Sequence, residues 1–218
     1  MIDTSKTYKS NNFGDFKIVN YVNKKNIEIE FVNTGARRIV REAAIKIGAV
    51  RDLFVPTSCG IGFLGEGRHN PTENGKRTKA HNSWSRILSR CYREAYHKEK
   101  PTYKNCTVCE EWHNFQNYAE WYEANYIEGY HLDKDIKQRG VVNKIYSPET
   151  CLFVTPKENV IEALAKNYTF ISPCDEVTNI YNITKYCRDN NLNAHMMLKV
   201  NDGINKSHRG WTRYVNNQ

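Results

Sequence analysis

No apolar stretch in these 218 residues approaches the roughly 20 that a membrane-spanning helix needs. The opening MIDTSKTYKSNNF also lacks the apolar core of a secretory signal, so we expect a soluble, intracellular chain. A disulfide frame is missing too. The 7 cysteines are odd in number and scattered, which fits reduced thiols or a metal site better than a disulfide scaffold. Acid is in deficit: 24 Asp and Glu against 32 Lys and Arg leave a formal charge of +8, and the pI is about 9.0. A basic surplus favours polyanions, nucleic acid foremost. A basic surface kept for solubility is the alternative, and charge alone does not decide between them. What is present excludes a disordered chain, since 39% of residues are hydrophobic and 12% aromatic. The length allows one to three compact units.

The stretch richest in chemistry is HLDKDIKQRGVVNKIYSPETCLFVTPKEN, from His131 to Asn159. If its start is a strand, His131, Asp133 and Asp135 leave one face together. A turn-rich insert follows, then a short apolar run, Cys151-Leu152-Phe153-Val154. Thr155 and Pro156 next open a predicted helix, as N-cap and first helical residue. Strand, loop, strand and helix with converging acidic and amide groups can hold one divalent cation by oxygen ligands.

LDKDI and IYSPETCLFVTPKEN resemble the phage-borne HNH nucleases of the His-Me finger type. The words WSRILSRCY and CTVCEEWHNF upstream are similar to the same family. The resemblance implies a ββα-metal core that hydrolyses DNA phosphodiesters with Mg²⁺ or Mn²⁺, in a phage-encoded homing-type enzyme working in a bacterial cytoplasm. Asp133 matches the metal-binding Asp, and Asn159 matches the metal-side residue of the helix. The sequence departs from the pattern twice. Lys134 stands where the general-base His belongs, and Thr150 where the orienting Asn belongs. Lysine takes a proton from water near neutral pH only if its pKa is strongly lowered. His131 is therefore the residue expected to activate water, with Lys134 neutralising phosphate charge and Asp135 as a further metal ligand. The rival expectation is a catalytically degenerate DNA-binding protein on the same scaffold.

The flanks fit double-stranded DNA as the partner. Residues 1–56 read as a small β unit similar to an SH3-like barrel, with Asn26–Phe31 alternating apolar and charged residues. Arg37, Arg38, Arg41, Lys46 and Arg51 make it basic, either against phosphate or as a solvated face. Residues 57–79 read as a linker. Its Gly60-x-Gly62-x-x-Gly65 has dinucleotide-site spacing but opens no helix for a pyrophosphate, so that function is rejected.

Residues 80–166 form the expected nuclease-like core with two packed helices. In the first, over 80–97, Trp84, Ile87, Leu88 and Cys91 make one stripe; the second covers 112–126. Between them Cys106-x-x-Cys109, with His113 following, could chelate zinc. One pair without a second favours buried reduced thiols instead. Residues 167–218 read as a DNA-binding module, a strand followed by helices over 183–190 and 194–200. It resembles the helix-turn-helix-like repeats attached to intron-encoded nucleases. Asn193 and His195 start its second helix, the end that reaches base edges, while Lys206, His208, Arg209 and Arg213 suit phosphate. The fold class expected overall is α+β.

Overall fold

Alternation of side chains sets the first sheet. In the computed structural model, which describes residues 2–215, β1 (Thr7–Ser10), β2 (Gly14–Asn23), β3 (Asn26–Phe31) and β4 (Arg37–Val40) form an antiparallel meander in that order. Every second residue of β3, namely Ile27, Ile29 and Phe31, is buried. With Phe16, Ile18, Ile45 and Val50 they make one core. The expected SH3-like barrel is corrected by this arrangement: β1 and β4 are the two outer strands of an open sheet. Ile45, from the short helix α1 (Glu42–Lys46), and Val50 cover the apolar face, a task that closure would otherwise perform.

The whole chain is mixed α/β, with several sheets and seven α-helices among the described residues. It divides into two compact units, Met1–Tyr126 with Lys137–Cys151, and Ile127–Ile136 with Leu152–Gln218.

In the first unit, the segment read as a linker is a packed strap. Gly62 lies so close to the next helix that an added Cβ would sit 2.4 Å from Leu88 Cδ1 and 2.8 Å from Trp84 Cζ2. Gly65 takes φ +65°, and a Cβ there would run into the Asn114 side chain. Close approach thus accounts for Gly62 and Gly65, while Gly60 takes φ +72° in open space. A small hairpin follows, β5 (Thr72–Glu73) and β6 (Lys76–Arg77), turned by Asn74 and Gly75 at φ 49° and 72°. Positive φ at both central residues is what a type I′ hairpin requires.

Helix α2 (Lys79–Tyr92) buries the predicted stripe Trp84, Ile87, Leu88 and Cys91. It stops earlier than expected, at Arg93, which is extended; α3 (Glu94–Glu99) resumes the helix. The His97 ring nitrogen pairs with the Arg90 carbonyl at 2.9 Å, so one of the carbonyls orphaned at the end of α2 is satisfied without the helix continuing. Trp112 lies in a 3₁₀ turn just before α4 (Phe115–Asn125), and its carbonyl accepts from Trp84 Nε1 at 2.7 Å. Phe115, Tyr118 and Tyr122 are buried on α4, so the aromatic face is core. Strand β7 (Thr107–Val108) pairs in parallel with β9 (Ile145–Tyr146).

In the second unit, β8 (His131–Asp133) pairs antiparallel with β10 (Leu152–Val154), and α5 (Pro156–Leu164) follows directly. After it come β11 (Asn167–Ile171), β12 (Val177–Tyr181), α6 (Ile183–Asp189), α7 (Ala194–Asn201), β13 (Ser207–His208) and β14 (Trp211–Arg213). The two predicted helices are therefore present, set against a four-stranded sheet of order β12-β11-β14-β13 where one strand was expected. Phe170, Ile180, Ile183, Cys187, Met197, Val200 and Trp211 form the core between sheet and helices.

Candidate active site

The local sequence of the second unit builds a strand, a partner strand and a capped helix. Thr155 is the N-cap of α5: its hydroxyl accepts from Glu158 N–H at 3.2 Å, and Glu158 Oε2 accepts in return from Thr155 N–H at 2.9 Å. This reciprocal box, with Pro156 at the first helical position, pins where the helix begins. Asn159 lies one residue past Glu158 and is half-buried. Tyr181 Oη donates to Glu162 Oε1 at 2.5 Å, tying α5 to β12.

On β8, His131 lies opposite Val154 and Asp133 opposite Leu152, so both leave the same sheet face. His131 is exposed, whereas Asp133 and Lys134 are only 5% and 6% exposed. The strand ends at Asp133, so alternation does not carry Asp135 onto that face as the sequence suggested. The reason is local. Asp133 Oδ1 accepts from Asp135 N–H at 2.7 Å and Ile136 N–H at 2.8 Å, and a carboxylate binding its own downstream amides turns the chain. Lys134 Nζ donates to Asp135 Oδ1 at 2.8 Å.

Thr150 belongs to the first unit, where its hydroxyl donates to Ile145 O at 2.7 Å and accepts from Ser147 N–H at 3.0 Å. It acts as a turn residue there.

No family model matches this chain, and no curated protein does. A solved structure of DNA binding and cleavage by the HNH homing endonuclease I-HmuI aligns with 98% of this chain and 99% of its own, at 14% identity and a TM-score of 0.22. At that score the two chains do not superpose as wholes.

The remaining expected site residues fall in three places. Cys106 and Cys109 are thiols, and burial pushes the Cys109 thiol upward. His113 Nε2 meets the Val108 carbonyl at 3.2 Å. Among the described residues, the one group of three His, Cys, Asp or Glu side chains with ligating atoms within 4.8 Å is His69, Glu120 and Glu123, so Cys106, Cys109 and His113 are not such a group. In the second unit, Asn193 caps α7 by accepting from Met196 N–H at 3.1 Å, and its own N–H donates to His208 Nε2 at 3.2 Å. Arg209 Nη1 donates to the Asn191 carbonyl at 2.6 Å, from a hairpin turn with positive φ at Arg209 and Gly210. These three hold the module together. His195, Lys206 and Arg213 are exposed.

The His69 cluster escaped the sequence because its members lie about 50 positions apart and share no motif. His69 Nε2 meets Glu120 Oε2 at 2.9 Å, and Arg68 forks onto Glu120 and Glu123. Those partners hold the Glu120 carboxyl below its usual range, the His69 bond first and Arg68 next. An arginine already neutralises this corner, so the group reads as a surface network on α4. No helix among the described residues is long and apolar enough to cross a membrane.

Proposed function

We propose that the chain is a metal-dependent DNA endonuclease of the HNH type, acting on double-stranded DNA. One observation carries the proposal. A buried carboxylate, Asp133, ends the first strand of a hairpin that runs straight into a capped helix bearing Asn159. The donor set fits a hard cation, since Asp133 and Asn159 both offer oxygen, while Asp135 is engaged by Lys134. Asp133 Oδ1 is taken by two backbone amides, so Oδ2 is the oxygen left to a metal. Mg²⁺ or Mn²⁺ held there would supply charge stabilisation at the scissile phosphate and the leaving oxygen. His131, exposed on the same face as Asp133, takes the proton of the attacking water. Lys134 Nζ pairs with Asp135 Oδ1 at 2.8 Å. Lys134 meets a phosphate oxygen as charge develops and does not serve as the base. The exposed His195, Lys206 and Arg213 give the second unit a basic surface for the duplex.

The same ion pair favours a second function. With a cation in the place of the base, the scaffold could grip DNA without cutting it. Incubating the purified chain with supercoiled plasmid and Mg²⁺ or Mn²⁺ separates the two. Nicking that vanishes in Asp133→Ala and Asn159→Ala is the expected result. Tight duplex binding with no cutting in either metal would establish the binding protein instead.

A further inference from the structure

Arg38 and Arg51 belong to the basic N-terminal segment that the hydrolytic site does not use. In the first unit they line a cleft of about 470 Å³ with Leu53, Leu64, Glu66 and Asn70. That volume suits a group the size of a nucleotide, within the roughly 300–1,000 Å³ of small-ligand sites. The walls are fixed without any ligand. Arg38 Nη1 donates to the Arg51 carbonyl at 2.6 Å, and Gly65 N–H donates to the Leu53 carbonyl at 2.9 Å. The Gln116 amide donates to the carbonyls of Leu64 at 3.3 Å and His69 at 2.9 Å, and accepts from His69 N–H at 2.9 Å. Glu66 is the one carboxylate in the lining, exposed and 3.9 Å from Arg38 Nε, so one guanidinium charge is left in surplus. The surplus is felt nearby, where burial first, then Arg77 and Arg51, hold the His81 imidazole below its ordinary value.

We propose that this cleft is a phosphate site, receiving a phosphomonoester or phosphodiester group of a nucleotide between the Arg38 and Arg51 guanidiniums. Arg38, held by the Arg51 carbonyl, and Arg51, whose guanidinium lies over the Phe13 ring, line one pre-formed cleft and can meet phosphate oxygens there by charge-assisted hydrogen bonds. That the phosphate comes from a DNA backbone rests on the nuclease assignment above; the phosphate chemistry itself does not.

The test uses the full ¹⁵N-labelled chain, without metal, titrated with inorganic phosphate and with 5′-phosphorylated dithymidylate. Backbone amides of Gly65, Glu66, Gly67 and Asn70 should shift together. Arg51→Gln, whose carbonyl still anchors Arg38, should bind the dinucleotide about tenfold more weakly, as loss of one charge-assisted contact implies. Its melting curve should match that of the parent chain. Shifts that cluster elsewhere, or that Arg51→Gln leaves undiminished, overturn the proposal. Duplex binding followed by anisotropy then identifies the source. A salt slope lower by about one in Arg51→Gln and unchanged in a Lys6→Gln control assigns a backbone phosphate. An equal slope with the dinucleotide shifts intact assigns a free nucleotide. Failure of the parent chain to bind any duplex counts against the nuclease assignment alone, and the phosphate titration still decides the cleft.

Discussion

Asp133 holds a turn in this structure and, under the proposed function, a cation as well; two substitutions pull these roles apart. Its Oδ1 accepts the N–H groups of Asp135 and Ile136 at 2.7 and 2.8 Å, while its charge is what a cation would bind. A hydrogen bond to a charged acceptor contributes about 1.5–3 kcal/mol. Asp135 and Ile136 are half-buried, so water can reach amides released from the carboxylate. For Asp133→Ala we therefore take the low end, about 3 kcal/mol for the two bonds together. That is a factor of about 100 in the local opening equilibrium at 1.4 kcal/mol per tenfold. Asp133→Asn keeps an oxygen in the same place and should cost under about 1 kcal/mol, or less than about fivefold. Amide hydrogen exchange at Asp135 and Ile136 measures both. Plasmid nicking should be lost in both variants, because neither retains the charge. If Asp133→Asn loosened these amides as much as Asp133→Ala, the oxygen would not be what holds the turn. If Asp133→Ala left them within about threefold of the parent, burial of this carboxylate would need a different cause.

Three further outcomes are expected. Gly62→Ala drives a methyl to within 2.4 Å of Leu88 Cδ1 and 2.8 Å of Trp84 Cζ2. It should lower the urea midpoint by an equivalent of about 1–3 kcal/mol, and a variant as stable as the parent refutes the packed-strap assignment. His81 is held below its ordinary value by burial, then by Arg77 and Arg51, so the unfolded chain binds the extra proton first. Its stabilising contribution is full above the usual imidazole value of about 6.5 and falls away as pH drops below it. His81→Phe should flatten the acid limb of a melting-temperature profile, and an unchanged limb would contradict the linkage. His131→Ala should lower the nicking rate by about 10²–10⁴ while duplex affinity holds; a parallel loss of affinity would make His131 a DNA contact and not the base.

The parts of the fold that showed in the sequence are those where one short period decides the outcome. The alternation in β3 and the Trp84-Ile87-Leu88-Cys91 stripe each pick a buried face by themselves. Thr155, Pro156 and Glu158 fix a helix start with no help from distant chain. Where long-range partners decide, the letters misled. Nothing local to β4 says whether it closes on β1, because the answer lies in Ile45 and Val50 filling the apolar face first. The early end of α2 depends on His97 reaching back to Arg90. Strands β12, β13 and β14 are two to five residues each, too short to carry a period of their own, and they exist by pairing around β11.

The candidate site follows the same division. Residue types and spacing put His131 and Asp133 on one strand face, and β8 keeps them there. Asp135 depends on a choice that spacing does not encode. Once Asp133 Oδ1 takes the two amides beyond it, the backbone must turn, and Asp135 leaves the face to meet Lys134 instead. That turn links the geometry to the chemistry. The turn that Asp133 makes with the amides of Asp135 and Ile136 also sets the Asp135 carboxylate 2.8 Å from Lys134 Nζ, and Lys134 is the residue that the proposed function finds where the family has its base. Under the proposed function the base must therefore come from elsewhere on the strand, and His131, exposed on the face it shares with Asp133, is the residue we propose for it.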